Sequence, residues 1–140
     1  MPAKFSGSGS RFLLLRAIES VIRARVTEFS LPCVSVASSG GEYFQVSFED
    51  DPDRDSAYFL IQRQFESYDG GLFYLECHER TLCGHFKIRR AQLDRNMFRL
   101  ELARESPKTV QIRFQADNAR YNQLRRVLKI IIPSGVLKIE

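Results

Sequence analysis

The stretch MFRLELA at residues 97–103 decides the fold class, because apolar and polar side chains alternate along it. Residues 109–115, TVQIRFQ, repeat the alternation shortly afterwards. A period of two puts the apolar side chains on one face of a strand and the charged ones on the other. The two stretches therefore predict neighbouring strands of a sheet with one covered face and one wet face.

The same alternation occurs nearer the N-terminus, at residues 44–48 and 86–89. Turn-forming residues separate such stretches at intervals of roughly a dozen residues, which is typical of antiparallel strands joined by hairpins. The turn signals are Ser39-Gly40-Gly41, residues 49–55, Asp69-Gly70-Gly71, Gly84, residues 94–96 and Ser106-Pro107. We predict a meandering antiparallel sheet of about six strands.

A helix is predicted to follow this sheet. Asp117 or Asn118 is a suitable N-cap, and Pro133 ends the helix at about Ile132. Its apolar stripe, with spacings of three and four, consists of Tyr121, Leu124, Val127, Leu128 and Ile131. We expect this helix to cover the apolar face of the sheet in a two-layer α+β arrangement, and residues 136–139 to add a short edge strand.

The N-terminal segment differs in composition from the rest. Residues 1–10 contain SGSGS and are predicted to be flexible. Apolar residues at helical spacing then predict an amphipathic helix near residues 11–22. The basic excess of the first 26 residues is also the composition of an organelle transit peptide. We favour a single α+β domain spanning residues 11–140.

Charge and cysteine content narrow the function classes only coarsely. The net charge of +4 comes from 21 basic and 17 acidic residues, which permits but does not demand a polyanionic partner. Cys33, Cys77 and Cys83 have no framework spacing and indicate reduced thiols in a cytoplasmic protein. The uncharged apolar run at residues 12–15 is too short to insert into a membrane.

Four potential metal ligands lie close together as Cys77-His78 and Cys83-Gly84-His85. Thiolate and imidazole are preferred zinc donors, but adjacent residues of a strand point to opposite faces. A Cys83–His85 nucleophile pair would also need an orienting group, and none stands out. We therefore favour small thiols and polar histidines near a sheet surface, and we predict no metal and no cofactor.

The acidic residues Asp51, Asp53 and Asp55 imitate the start of a calcium loop. The sixth and twelfth positions of such a loop require glycine and glutamate, but here they hold Ser56 and Gln62. A solvated acidic turn that could contact a partner is the better interpretation. Phosphate-binding loops and nucleophile elbows are also missing from the sequence, so we predict a protein that is not an enzyme.

The predicted wet face carries Lys87, Arg89, Arg99 and Arg113. Sheet-based RNA-binding proteins interleave exposed aromatic residues with basic ones, whereas here the aromatic residues of these strands fall on the apolar face. Weak nonspecific attraction to nucleic acid is compatible with this pattern, and specific recognition is not predicted.

Several stretches resemble the immunity protein 10 family of bacterial proteins encoded beside polymorphic toxins. They are AYFLIQR at 57–63, GGLFYLE at 70–76, CGHFKIRRAQL at 83–93, FRLEL at 98–102 and VQIRF at 110–114. The resemblance covers residues 42–133 and implies a cytoplasmic antidote that binds a cognate toxin domain, with no catalytic residues. Gln62, Arg63, Glu76 and Gly84 match positions of the family pattern, although Arg63 and Glu76 could simply pair across the sheet.

Together these features predict a toxin-immunity-type protein that acts by protein–protein binding. The predicted partner contacts are Asp51, Asp53, Asp55, Arg63, Tyr68, Arg89, Arg99 and Arg113. The alternative is an accessory protein that binds nucleic acid or a membrane surface through its basic helices. Exposed edge strands would also permit a homodimer.

Overall fold

A computed structural model of the protein describes residues 26–51, 56–65, 72–104 and 108–140. These residues form nine strands, one α-helix and a short 3-10 helix at Arg80–Leu82. The strands are β1 (Val26–Ser30), β2 (Cys33–Ser39), β3 (Tyr43–Glu49), β4 (Tyr58–Gln64), β5 (Phe73–Cys77), β6 (Gly84–Leu93), β7 (Met97–Ala103), β8 (Lys108–Arg113) and β9 (Leu137–Ile139). The helix, α1, spans Asn118–Ile131 and lies between β8 and β9 in the chain.

The strands belong to one sheet with the order β1-β8-β7-β6-β5-β4-β3-β2. Neighbours from β2 to β8 are antiparallel, whereas β1 is parallel to β8. Strand β9 is parallel to the last residues of β6 and shares an edge of that strand with β5. The long strand β6 therefore belongs to both halves of the sheet.

The prediction of about six strands in an antiparallel meander is wrong. The described residues form nine strands, and two of the pairings are parallel. Alternation indicates that a segment is a strand but does not identify its partner, and the parallel partners of β1 and β9 are distant in the chain. The flexible segment predicted at residues 1–10 and the helix predicted near 11–22 lie outside the described residues.

The sheet curls until its two halves cover each other. The Phe48 ring of β3 stacks 5.7 Å from the Phe98 ring of β7 and lies 5.5 Å from that of Phe114. In a flat sheet, strands four places apart would be about 19 Å apart. Contact between these rings therefore requires the first half-sheet (β2–β5) to lie across from the second half-sheet (β1, β8, β7, β9), with the core between them.

Helix α1 begins after Asp117, whose side chain accepts a hydrogen bond from the Arg120 amide at 2.7 Å, and it ends just before Pro133. The predicted span and N-cap are confirmed. Leu124, Leu128 and Ile131 are buried, and the helix packs against β2 and β3. A helix is about 10 Å wide and covers roughly two strands, so most of the apolar face is covered by the opposing half-sheet instead.

The described residues include no helix with the length and apolar content needed to cross a membrane.

Candidate functional site

Six cations lie on the outer side of the second half-sheet and the adjoining part of β6. They are Lys87, Arg89 and Arg90 of β6, Arg99 of β7, Arg113 of β8 and Lys138 of β9, and all six are exposed. We call this surface the basic face. Its side chains point outward because their strand neighbours, such as Ile88, Leu100 and Ile112, occupy the core.

A β-bulge in β6 turns two consecutive arginines towards solvent. Ile88 pairs with Leu102 and Arg90 pairs with Glu101, so that Arg89 is the extra residue. Arg89 Nη1 lies 3.8 Å from Glu101 Oε1, but the arginine side chain is 60% exposed. An ion pair this open contributes little stability, which leaves both guanidinium groups available to a ligand.

Strand β9 brings a further cation from the C-terminus to the basic face. Lys138 pairs with Gln92 of β6, and Gln92 in turn pairs with Arg99 of β7. Lys138 Nζ also lies 3.8 Å from Glu140 Oε1, a second solvent-exposed ion pair. The parallel pairing of β9 thus places a lysine and an arginine from distant parts of the chain on one surface.

An open cleft of about 550 Å³ lies between β9 with its preceding turn and the outer side of β6 and β7. Its walls are formed by Arg90, Ala91, Gln92, Arg99, Glu101, Gly135, Val136 and Lys138. Three cations and one carboxylate therefore line a space that also has a small apolar wall. Such a lining favours an anionic side chain over an apolar ligand.

The basic face is a mixture of charges rather than a uniform field. Glu101 lies within it, Glu140 lies beside Lys138, and Glu28 of β1 is on the same outer side at the far edge. The outer sides of β1, β7, β8 and β9 carry no aromatic side chain among the described residues, whereas on β6 the exposed His85 lies two residues before Lys87, with its ring against that of Tyr74. Those four strands therefore offer no stacking surface for nucleic-acid bases.

Three predicted contact residues, Arg89, Arg99 and Arg113, come together on the basic face. Asp51 does not lie on this half-sheet; it follows β3, where its main-chain oxygen accepts a hydrogen bond from Ser56 Oγ at 3.4 Å. The other three predicted contacts, Asp53, Asp55 and Tyr68, lie outside the described residues.

Arg63 is directed inward, towards the end of helix α1. Its Nη1 donates to the main-chain oxygen of Ile131 at 2.9 Å, and its guanidinium lies 5.2 Å from the ring centres of both Phe65 and Phe73. The suggested pairing of Arg63 with Glu76 is wrong, because Glu76 is opposite Leu60 and points to the outer side. In this position Arg63 joins β4 to the helix.

The cysteine and histidine cluster is divided between separate environments. Cys77 is buried at the end of β5, whereas the neighbouring His78 is exposed and shares hydrogen bonds with the Tyr58 main chain. The His85 ring lies 5.3 Å from that of Tyr74, apart from Cys77. Within the described ranges, no three side chains are grouped as metal ligands.

The outer side of the first half-sheet has a different chemistry from the basic face. Glu76 accepts hydrogen bonds from the hydroxyls of Tyr74 at 2.7 Å and Tyr58 at 3.0 Å. Burial, followed by the bond to Glu76, raises the pKa of Tyr58 to about 12. The bond to Glu76 is the main cause of the raised pKa of Tyr74. Both phenols therefore stay protonated at neutral pH and hold the Glu76 carboxylate by hydrogen bonds to its two oxygens.

The basic face contains two residues that were not predicted, Arg90 and Lys138. The signal for Arg90 was present: three positions separate the core residues Ile88 and Ala91 where strict alternation requires two, which indicates a bulge. No local signal exists for Lys138. It reaches the basic face only because β9 pairs in parallel with β6, where its partner Gln92 lies 46 positions earlier in the sequence.

No protein-family model matches the chain, and no curated protein matches its sequence. The resemblance to the immunity protein 10 family therefore stays a prediction from the motifs quoted above.

Proposed function

We propose that this protein is an immunity-type binding protein, which neutralises a toxin domain in the cytoplasm by holding an acidic surface of that domain on the basic face. The observation that carries the proposal is the convergence of Arg90, Arg99 and Lys138 on one open cleft, with Arg89 and Arg113 nearby. Carboxylates of a partner would form charge-assisted hydrogen bonds with these guanidinium and ammonium groups.

The interspersed carboxylates favour a protein partner over a nucleic acid. Glu28 and Glu101 would repel the uniform phosphate charge of a nucleic-acid backbone, but a protein surface can match them with lysine or arginine. Surfaces of mixed charge select partners by orientation and reject wrong ones. The charge pattern therefore supports recognition of one protein surface.

The size of the basic face fits such a role. Four neighbouring strands at about 4.8 Å and six to seven residues in length give a footprint of roughly 400 Å². A standard interface buries about 800 Å² of accessible surface on each partner. Projecting side chains expose more area than their footprint, and β9 with its turn enlarges the rim. The flat footprint is therefore about half of one partner's share of a standard interface, and the projecting side chains and the rim add to it.

Charge reversal tests the proposal in cells that co-express this protein with the toxin domain proposed as its partner. The double variant Arg99→Glu/Arg113→Glu reverses one cation that lines the cleft and one at the end of β8, and we expect it to lose both co-purification with the toxin domain and protection of growth. The matched control is Arg125→Glu/Arg126→Glu, which makes the same charge change on the exposed side of α1. Thermal unfolding of both variants checks that they are folded.

Equal protection by the two double variants would refute the basic face as the binding surface. Steep salt-dependent binding of duplex DNA by the wild type, abolished only by Arg99→Glu/Arg113→Glu, together with no toxin binding, would replace the proposal with a nucleic-acid function.

A further inference from the structure

The connection between β5 and β6 brings two cysteines together. Five residues separate Cys77 from Cys83, and the short 3-10 helix between them turns the chain back on itself. The amides of Leu82 and Cys83 donate to the main-chain oxygens of Glu79 and Arg80, at 3.0 and 3.1 Å. These two turns hold Cys83 beside the end of β5.

The two sulfur atoms share the same small set of main-chain partners. Cys83 Sγ lies 3.4 Å from the Cys77 nitrogen and 3.2 Å from the Cys77 oxygen. The oxygen of Glu79 is 3.2 Å from Cys77 Sγ and 3.5 Å from Cys83 Sγ. The shared main-chain partners at Cys77 and Glu79 therefore bring the two sulfurs close together.

The two thiols differ in accessibility, which suits them to different steps of one reaction. Cys77 is 3% exposed, and burial raises the pKa of its thiol to about 11. Cys83 is only partly buried, at the start of β6. An external reagent would therefore reach Cys83 first, and Cys77 would be confined to reacting with the neighbouring sulfur.

We propose that Cys77 and Cys83 are a redox modification site, which forms a reversible intramolecular disulfide by exchange with a small-molecule disulfide. Solvent takes the proton of Cys83, and its thiolate attacks one sulfur of glutathione disulfide, releasing one glutathione thiolate that takes up a proton. Cys77 then loses its proton and attacks Cys83 Sγ, which releases the second glutathione. Two protein thiols and one disulfide thus become one protein disulfide and two glutathione thiols.

The test uses the full chain with Cys33→Ser, so that the proposed pair supplies the only thiols. Cys33 lies on β2, three strands away from β5 in the sheet, and its sulfur is 3.9 Å from the Asp50 oxygen. The reduced protein is incubated with glutathione disulfide, denatured, alkylated and weighed by mass spectrometry. We expect a monomer that takes up no alkyl group, carries no glutathione and regains both thiols with dithiothreitol.

A matched variant shows whether Cys77 resolves the intermediate. With Cys33→Ser/Cys77→Ser, we expect Cys83 to retain glutathione as a stable mixed disulfide. In the wild type, peptide mapping is expected to locate the remaining free thiol at Cys33. Two alkylated cysteines in the folded Cys33→Ser protein, a persistent glutathione adduct on it, or a disulfide-linked dimer would each overturn the proposal.

Discussion

Substitution of Arg63 distinguishes its two suggested roles. A structural role at the end of helix α1 predicts a loss of stability, whereas a role as a partner contact predicts a loss of binding. The residue was predicted as a partner contact, but its guanidinium donates to the last carbonyl of helix α1, at Ile131, and lies against Phe65 and Phe73. The carbonyls of the last helical turn have no partner within the helix, so an arginine there stabilises the fold. We expect Arg63→Met, which keeps an apolar stem, to destabilise the protein.

The magnitude follows from the individual contacts. A hydrogen bond to a charged group contributes about 1.5–3 kcal/mol, and a cation–π contact at a partly exposed site adds about 0.5–1 kcal/mol. Because the same guanidinium makes both, the terms overlap, and we expect a loss of about 2–3 kcal/mol. Arg63→Lys keeps the charge near the helix end but loses the planar group, and it should lose about half as much.

Urea unfolding followed by circular dichroism measures this change in the free energy of unfolding. Arg125→Met on the exposed side of α1 is the control, and its effect should stay within about 0.5 kcal/mol. The structural role of Arg63 is refuted if Arg63→Met has no larger effect than the control. A loss of partner binding at unchanged stability would instead support the original assignment of Arg63 as a contact.

Three further predictions concern the core, the helix start and the pH dependence. Phe48→Ala should cost about 3–5 kcal/mol, because Phe48 is fully buried against Phe98 where the half-sheets meet; a loss below about 1 kcal/mol in urea would contradict the curl of the sheet. Asp117→Ala removes the N-cap contact to the Arg120 amide and should cost about 1 kcal/mol, whereas Asp117→Asn should retain most of the stability. Burial raises the pKa of Cys77 from 9.0 to about 11, so the folded protein keeps a proton that the unfolded chain releases. The free energy of unfolding should therefore fall as the pH rises from 9.0 to about 11, and Cys77→Ala should make that fall shallower; an unchanged slope would count against this cause.

Local patterns were sufficient to predict the strands at β7 and β8 and the helix Asn118–Ile131. Alternation and capping are properties of neighbouring residues, so they can be identified without knowing the fold. The sheet order was not predictable in this way. Strand β1 pairs with β8 although more than 70 residues of sequence lie between them, and nothing in the sequence of either segment identifies the other as its partner.

The candidate site was also predicted only in part. The residues placed by local alternation were found, and those placed by pairings between distant segments were missed. Arg89, Arg99 and Arg113 were found because the alternation placed them on the wet face. Lys138 joined them only through the parallel pairing of β9. Arg63 follows the buried Phe59 and Ile61 at a spacing of two, so alternation alone places it on the covered side of β4. Its hydrogen-bond partner Ile131, however, lies 68 positions away, beyond any local pattern.

Isothermal titration calorimetry at physiological salt, with the purified protein and the toxin domain proposed as its partner, tests the basic face most directly. Each reversed charge at an interface should cost at least about 1.5 kcal/mol, so Arg99→Glu/Arg113→Glu should weaken the Kd roughly a hundredfold or more. Arg125→Glu/Arg126→Glu, with the same net charge, should leave the Kd within about threefold of the wild type. Equal Kd values for the two double variants would contradict binding through the basic face.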